Sequence, residues 1–148
     1  MQIKFRKIRL DAKAPQRATD GSAGYDLFAA QVESLDFGML RCRSGIAVEI
    51  PRGFVGLLFP RSSIVRTHQR TANAVGVIDS DYRGEITGVF DLFPDWSGNN
   101  PHYAPTIYRP GERFVQLVIV PIPEVEYIEV EELSATERGA GGYGSTGR

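Results

Sequence analysis

The expected fold and site are organised around one stretch of sequence, Gly76-Val-Ile-Asp-Ser-Asp-Tyr-Arg-Gly-Glu-Ile-Thr-Gly-Val-Phe90. The apolar run at 74–78 and the strand-like run at 85–90 predict a β-hairpin with a polar tip between them. Gly84 suits a backbone conformation that costs other residues energy. The tip carries two carboxylates, a phenol and a guanidinium, where an ordinary turn needs only one or two Asx or Gly residues. Taken alone it is a solvated turn, so a function requires partners elsewhere in the chain.

The composition indicates one ordinary domain. A chain of 148 residues with 42% hydrophobic residues can bury an adequate core. The net charge of -1 gives no overall field for nucleic acid or an anionic membrane, so a nucleotide site needs locally placed basic groups. The one cysteine, Cys42, excludes an intramolecular disulfide, and neither a signal peptide nor a membrane-spanning segment is recognisable. We therefore expect a soluble, cytoplasmic protein.

Short strand-like segments, separated by Pro, Gly, Asp or Asn, recur along the chain. We expect strands at residues 3–10, 45–50, 53–59, 74–78, 85–92, 113–119 and 127–130. One short helix is expected at residues 62–68, with Ser62 or Ser63 as its N-cap. Many short strands with scarcely any helix predict an all-β fold: a sandwich, barrel or jelly roll. No repeat or linker divides the chain, so we expect a single domain over residues 1–148.

Two segments fall outside this strand pattern. Residues 93–110 form a long aromatic loop, and connections of this length are often functional. A surface excursion held by its own aromatic side chains is an equal alternative. Residues 138–148 contain almost no core-forming side chains and are expected to be flexible. The β core is therefore expected over residues 1–137, followed by a mobile tail.

Four further segments carry chemistry that could serve the tip. Asp26 is a carboxylate in an apolar strand, which is costly unless it is paired or near a metal. Pro60-Arg-Ser-Ser63 stands at the expected helix start, where free N–H groups and the helix dipole favour phosphate. Gln116 lies in a strand and could simply face solvent. The tail offers Arg138 and a glycine-rich backbone with Ser145-Thr146, without the lysine and spacing of a P-loop.

Five segments, in order, resemble the five motifs of the trimeric deoxyuridine triphosphatases: Ala23-Gly-Tyr-Asp-Leu27, Pro60-Arg-Ser-Ser63, Gly76-Val-Ile-Asp-Ser-Asp-Tyr-Arg-Gly84, Gly111-Glu-Arg-Phe-Val-Gln116 and Arg138-Gly-Ala-Gly-Gly-Tyr-Gly-Ser-Thr146. The hairpin motif and the glycine tail are specific in combination. The resemblance implies a jelly-roll-like β-barrel that forms a homotrimer with shared active sites. It also implies hydrolysis of dUTP to dUMP and pyrophosphate with Mg²⁺, which keeps uracil out of DNA and supplies dUMP for thymidylate synthesis.

The resemblance also implies roles for individual residues. Asp79 would activate the attacking water as a general base, and Asp26 would hold magnesium through its water shell. The expected phosphate contacts are Arg61, Ser62, Ser63, Gln116, Arg138, Gly144, Ser145 and Thr146. The expected base contacts are Asn73, Gly76, Val77, Ile78 and Thr87. Tyr82 would pack on the deoxyribose, and Tyr143 would cover the uracil as part of a closing lid.

Departures from the family pattern leave alternatives open. Tyr143 stands where the family usually has Phe, and Ser63 where glycine is commoner. The loop at 93–110 is longer than in compact members, and we expect it to contact a protein partner or another subunit. The nearest rival is a dCTP deaminase-like enzyme, which needs a glutamate near Val89. A dUTPase with an added regulatory role through the loop is the second alternative, whereas general nucleic-acid binding does not fit the charge.

Overall fold

The computed structural model describes residues 1–93 and 107–142. Because apolar and polar residues alternate over short distances, the regular secondary structure of this part of the chain is almost entirely β-strand. They are β1 (Lys4–Lys7), β2 (Tyr25–Phe28), β3 (Gln31–Leu35), β4 (Met39–Arg43), β5 (Ile46–Glu49), β6 (Phe54–Pro60), β7 (Gln69–Thr71), β8 (Gly76–Ile78), β9 (Thr87–Leu92) and β10 (Arg113–Pro121). Short 3-10 helices occupy Asp36–Gly38 and Ser62–Arg66.

The strands form two four-stranded antiparallel sheets and one two-stranded sheet. The first sheet has the order β2-β10-β6-β8, and the second has the order β3-β4-β9-β7. Strands β1 and β5 pair separately. Neighbours in a sheet are mostly distant in sequence, which is typical of a jelly-roll-like fold. The predicted all-β class is confirmed.

Aromatic side chains join the two larger sheets. Phe90 of β9 packs edge-on against Phe114 of β10, with ring centroids 6.3 Å apart, and its ring is tilted against that of Tyr108, with centroids 5.1 Å apart. Burying a side chain of this size contributes about 1.5–3 kcal/mol. The largest fully buried residues are Phe90, Phe114, Leu27, Ile46, Ile86, Val115, Cys42 and Ser44. They include residues from both sheets, so the two sheets share one core.

Residues 76–90 do not form the predicted β-hairpin, because their two strands do not pair with each other. Its first arm, β8, pairs with β6 in the first sheet, and its second arm, β9, pairs with β4 and β7 in the second sheet. The stretch therefore crosses from one sheet to the other. Local sequence predicted both strands, but their partners are chosen by long-range packing that periodicity does not contain.

Two other predictions are corrected. The helix expected at 62–68 is a 3-10 helix over Ser62–Arg66, and Arg61 occupies its N-cap position without a side-chain cap bond. The strand expected at 127–130 does not form, because no strand of the described chain pairs with it and its residues are exposed. Strands β3 and β7 were not predicted. Neither 3-10 helix is long or apolar enough to cross a membrane.

Candidate active site

Asp26 lies at the centre of a polar group that we call the Asp26 cluster: Asp26, Arg61, Ser63, Arg113 and Gln116. Asp26 Oδ1 accepts a hydrogen bond from Arg61 Nε at 2.8 Å, and Oδ2 accepts one from Arg113 Nη1 at 3.1 Å. The residue is only 7% exposed. A buried carboxylate is costly unless it is paired, and the two guanidinium groups supply that pairing. Asp26 therefore holds two arginines side by side.

The strand order brings the cluster together. β10 lies between β2 and β6, so Gln116 stands opposite Asp26 on one side and opposite Phe59 on the other. The half-buried Gln116 donates from Nε2 to the carbonyl of Pro60 at 3.1 Å. This bond ties β10 to the end of β6, where Arg61 begins. Gln116 thus faces the cluster and does not simply point to solvent.

An open cavity of about 390 Å³ adjoins the cluster and is positively charged. Arg61, Arg66 and Arg113 contribute cations, against a single carboxylate from Glu112. Arg61 Nη1 also donates to Ser63 Oγ at 3.3 Å. The expected helix is a 3-10 helix of five residues, so its dipole adds little to the charges of the three arginines. Guanidinium groups therefore supply the attraction for an anion.

Asp79 follows directly after β8 and is exposed. Its carbonyl accepts a hydrogen bond from the backbone N–H of Tyr82 at 3.1 Å, which closes the turn. Arg83 Nη1 donates to the carbonyls of Ser80 and Tyr82 at 2.7 and 2.9 Å. The Asp79 carboxylate thus stands on a turn that its own backbone and Arg83 fix.

Tyr82 lies directly over Gly84. Its phenol donates to the carbonyl of Glu85 at 3.1 Å, and a Cβ placed on Gly84 would collide with the phenol ring. Gly84 is not among the residues with positive φ. The expectation of a special backbone conformation at Gly84 is therefore wrong. The glycine is needed for space beneath the ring.

Strand β8 offers a free backbone edge. In the described part of the chain it pairs only with β6, through Gly76, Val77 and Ile78, and it ends the sheet. The exposed Asn73 lies close by, with its Nδ2 3.6 Å from where a Cβ on Gly76 would stand. Thr87 begins β9 in the other sheet. The free edge presents backbone donors and acceptors, which is what recognition of a nucleobase edge requires.

One chain does not bring Asp79 to the Asp26 cluster. Ile78 stands opposite Gly56, so Asp79 is level with Val55, whereas the cluster lies beyond Pro60 at the other end of β6. The separation along the strand is roughly 16 Å, from the usual rise of about 3.3 Å per residue. The two sets of predicted site residues therefore lie at opposite ends of β6.

The remaining predicted site residues belong to the C-terminal segment. Arg138 is exposed, and its Nε donates to the carbonyl of Gly141 at 2.9 Å. In the structure it contacts neither Asp79 nor the Asp26 cluster by any hydrogen bond. The predicted contacts Tyr143, Gly144, Ser145 and Thr146 lie outside the described residues, as does most of the loop, residues 94–106.

The described residues fit a magnesium ion only if it arrives with other ligands. Among them, no group of three or more His, Cys, Asp or Glu side chains is placed to hold a metal. Both oxygens of Asp26 are bonded to arginines. Mg²⁺ commonly keeps several waters and takes direct ligands from phosphates. The donor set therefore fits an ion carried by a polyphosphate, with Asp26 contacting it through water.

Sequence reasoning missed two contributors. Arg113 belongs to the segment that contains Gln116, but no role was assigned to it. Strand alternation puts residues three apart on opposite faces, and the register shift between Arg113 and Val115 that alters this arrangement could not be seen in the sequence. Glu85 was placed only in a strand. Its side chain accepts hydrogen bonds from Arg43 and from the backbone of Gly45, two residues far away in sequence, so local patterns could not reveal the contact.

The fold and the site define a class of protein: an antiparallel β domain with an arginine-lined anion cavity and an exposed carboxylate beside a free strand edge. These features together suit a nucleotide. A family model described as dUTPase matches residues 11–147, and on this evidence the chain belongs to the dUTPase family.

Known relatives agree with this assignment. The deoxyuridine 5'-triphosphate nucleotidohydrolase of Hydrogenobaculum sp. (strain Y04AAS1) is 39% identical over 150 residues, covering 99% of each chain. The dUTPase of Staphylococcus bacteriophage 80alpha, solved with dUPNHPP, superposes with a TM-score of 0.81 at 31% identity, covering 99% of each chain. A mutant dUTPase from phage phi11 of S. aureus superposes with a TM-score of 0.73 at 29% identity, covering 89% of this chain and 98% of that one.

Proposed function

We propose that this protein hydrolyses dUTP to dUMP and pyrophosphate in the presence of Mg²⁺, in the cytoplasm. The observation that carries the proposal is the buried Asp26, which holds Arg61 and Arg113 beside the cationic cavity. Guanidinium groups bind phosphate oxygens strongly because they donate charge-assisted hydrogen bonds in a fixed geometry. Membership of the dUTPase family identifies the nucleotide.

Asp79 supplies the base for the reaction. Its carboxylate accepts a proton from a water molecule as the water oxygen attacks the α-phosphorus. The bond from the α-phosphorus to the oxygen bridging the α- and β-phosphates breaks, and pyrophosphate leaves. The turn that fixes the Asp79 backbone supports this role, because a general base must stay within hydrogen-bond reach of its water.

The phosphates are held by the Asp26 cluster and the tail. Arg61, Ser62, Ser63 and Gln116 contact phosphate oxygens, and Arg138, Gly144, Ser145 and Thr146 contact the outer phosphates. Bound Mg²⁺ would neutralise charge on the triphosphate, and Asp26 would orient it through water. A phage phi11 dUTPase is described with a structural Mg(II) ion, which supports magnesium binding in the family.

The free edge of β8 binds the base, and Tyr82 contacts the sugar. Backbone groups of Gly76, Val77 and Ile78, with Asn73 and Thr87, match the uracil edge. Cytosine would leave buried donors or acceptors unpaired there, which is strongly penalised. Tyr82 packs on the deoxyribose and leaves no room for a 2′-hydroxyl, while Tyr143 covers the uracil.

The protein acts as a homotrimer whose active sites combine segments of different subunits. The distance along β6 between Asp79 and the Asp26 cluster supports this, since one chain does not unite them. The segment after β10 supports it as well. Val125, Tyr127, Ile128 and Leu133 are 67%, 96%, 74% and 88% exposed, an apolar surface that contact with another copy would bury.

Pyrophosphate release from dUTP, dCTP, dTTP and UTP with Mg²⁺ tests the proposal. We expect turnover of dUTP, little or none of the other three, and a fall of at least about 10³-fold in kcat for Asp79→Asn with dUTP binding retained. Unaffected Asp79→Asn, or comparable turnover of dCTP, would overturn it. Ammonia released from dCTP would instead favour a deaminase, although Val89 of β9 carries no carboxylate for that reaction.

We also propose a second, regulatory role through residues 93–110. The 80alpha phage dUTPase, similar over nearly its whole length, is described as controlling transfer of virulence genes. Replacing residues 94–106 with a short Gly-Ser linker should leave the trimeric state and dUTP hydrolysis intact but remove partners captured by the wild-type protein. Identical capture by both forms, verified by mass spectrometry, would contradict this role.

A further inference from the structure

The carboxylate of Glu85 is bonded on both oxygens by the turn between β4 and β5. Oε2 accepts from Arg43 Nε and Nη2 at 2.8 and 2.6 Å, and Oε1 accepts from the backbone N–H of Gly45 at 2.7 Å. The Glu85 side chain is 8% exposed. Its hydrogen bonds and negative charge raise the pKa of the Arg43 guanidinium, which therefore stays charged. Three charge-assisted donors on one buried carboxylate define its position closely.

The turn that holds Glu85 is itself well fixed. The fully buried Ser44 donates from Oγ to the carbonyl of Ile86 at 2.6 Å, and its backbone N–H donates to the same carbonyl at 3.2 Å. Gly45 has a φ of +68°, and a Cβ there would lie 2.7 Å from Ala12 Cβ. Residues 43–45 and 85–86, which we call the Glu85 latch, therefore form one unit at the point where the chain enters the second sheet.

Tyr82 stands on this latch. Its phenol donates to the backbone carbonyl of Glu85 at 3.1 Å, and its ring lies over Gly84. The outer side of the ring is open, with the residue 44% exposed. One face of the Tyr82 ring is therefore exposed, while its hydroxyl is hydrogen-bonded to Glu85, whose side chain is fixed by its own hydrogen bonds. A rigid wall of this kind is what steric rejection of a substituent requires, because a ring that can retreat rejects little.

We propose that Glu85 is a positioning residue which, through Arg43 and Gly45, fixes Tyr82 and so sets discrimination between deoxyribose and ribose nucleotides. This inference rests on the proposed function of Tyr82 in contacting the sugar. Glu85 does not touch the nucleotide in this account. Removing its carboxylate frees the backbone at residue 85, lets the phenol shift, and admits the 2′-hydroxyl of a ribonucleotide.

Asp91 in β9, six residues after Glu85, provides a control. Its Oδ2 accepts a hydrogen bond from Arg70 Nε at 3.0 Å. Asp91, like Glu85, therefore forms an ion pair with an arginine. The Arg70 side chain is 64% exposed, and the pair has no bond to the tip. Asp91→Asn therefore removes an ion pair of the same chemistry without touching the latch.

The experiment measures kcat/KM for dUTP and for UTP in wild type, Glu85→Ala, Arg43→Gln and Asp91→Asn. Loss of one well-made hydrogen-bonded contact predicts that the dUTP-to-UTP ratio falls about five- to tenfold in both latch variants, with Asp91→Asn unchanged. Tyr82→Phe, which lacks the phenol donor, should lower the ratio similarly, and Glu85→Ala added to it should lower it little further.

An unchanged ratio in folded Glu85→Ala or Arg43→Gln would overturn the inference, as would independent, multiplying effects of Glu85→Ala and Tyr82→Phe. If Glu85→Ala does not fold, Arg43→Gln and Glu85→Gln test the same contact. Absence of dUTP hydrolysis by the wild type would instead refute the proposed function, so the two failures are distinguishable.

Discussion

At the scale of single residues, the site depends on carboxylates whose surroundings differ. Asp26 is buried and bonded to two arginines, whereas Asp79 is exposed on a fixed turn. The sequence alone predicted that Asp26 needs a partner, because a lone buried charge is costly. It did not predict that Arg113 also donates to this carboxylate, since Arg113 and Asp26 are 87 positions apart in the sequence. Residue types were predictable; their pairing depended on the register of β10.

Cys42 provides a test of the core at this scale. Burial, with a smaller effect from Glu112, raises the pKa of its thiol from 9.0 to about 12. The folded state therefore holds this proton more tightly than the unfolded state, so the thiol's contribution to stability falls as pH rises from about 9 towards about 12. We expect iodoacetamide to label the native protein at pH 8 far more slowly than the unfolded protein. If the native protein is labelled as fast as an exposed thiol, Cys42 is not buried in the core.

In unfolding measurements, the Cys42→Ala variant serves as the matched comparison. It should be less stable at neutral pH, because it leaves a cavity, but its free energy of unfolding should decline less between pH 9 and 11. If the free energy of unfolding declines equally in both proteins, groups other than Cys42 cause the loss of stability at alkaline pH.

At the scale of elements, strand identity was easier to predict than strand partnership. Periodicity indicated β5, β6, β8, β9 and β10 near their observed positions. It also suggested that β8 and β9 pair as a hairpin, but each joins a different sheet. The crossing places Tyr82 and Glu85 on the segment that connects the two sheets, where the β4–β5 turn is hydrogen-bonded to Glu85 and Glu85 to Tyr82. The failed strand at 127–130 has a related cause: alternation favours a strand, but a strand also needs a partner.

The C-terminal segment gives an element-scale prediction. Residues 122–140 are exposed and add little to the core of one chain. Removing residues 138–148 should therefore leave the unfolding temperature and the trimeric state unchanged while reducing dUTP hydrolysis by at least about 10²-fold, because the proposed phosphate contacts and lid are lost. Removal of residues 147–148 alone is the control and should have little effect. Full activity in the longer truncation would show that no lid is needed.

At the scale of the whole molecule, one chain does not bring the proposed site residues together. Asp79 and the Asp26 cluster lie at opposite ends of β6, and apolar side chains remain exposed after β10. Association of copies would explain both observations. Sequence reasoning reached the shared site only by resemblance to a family, because no local pattern tells which subunit supplies a residue.

Subunit mixing is the decisive test of an active site shared between subunits. Asp79→Asn and Arg61→Gln proteins, each inactive alone, are mixed equally, dissociated and reassembled with Mg²⁺ and dUTP. If each site takes Asp79 from one subunit and Arg61 from another, about one quarter of sites regain both groups, and activity returns to about one quarter of wild type. Asp79→Asn mixed with the double variant Asp79→Asn/Arg61→Gln is the control and should stay inactive. No recovery in mixed trimers, with their composition verified by native mass spectrometry, would contradict a site assembled between subunits.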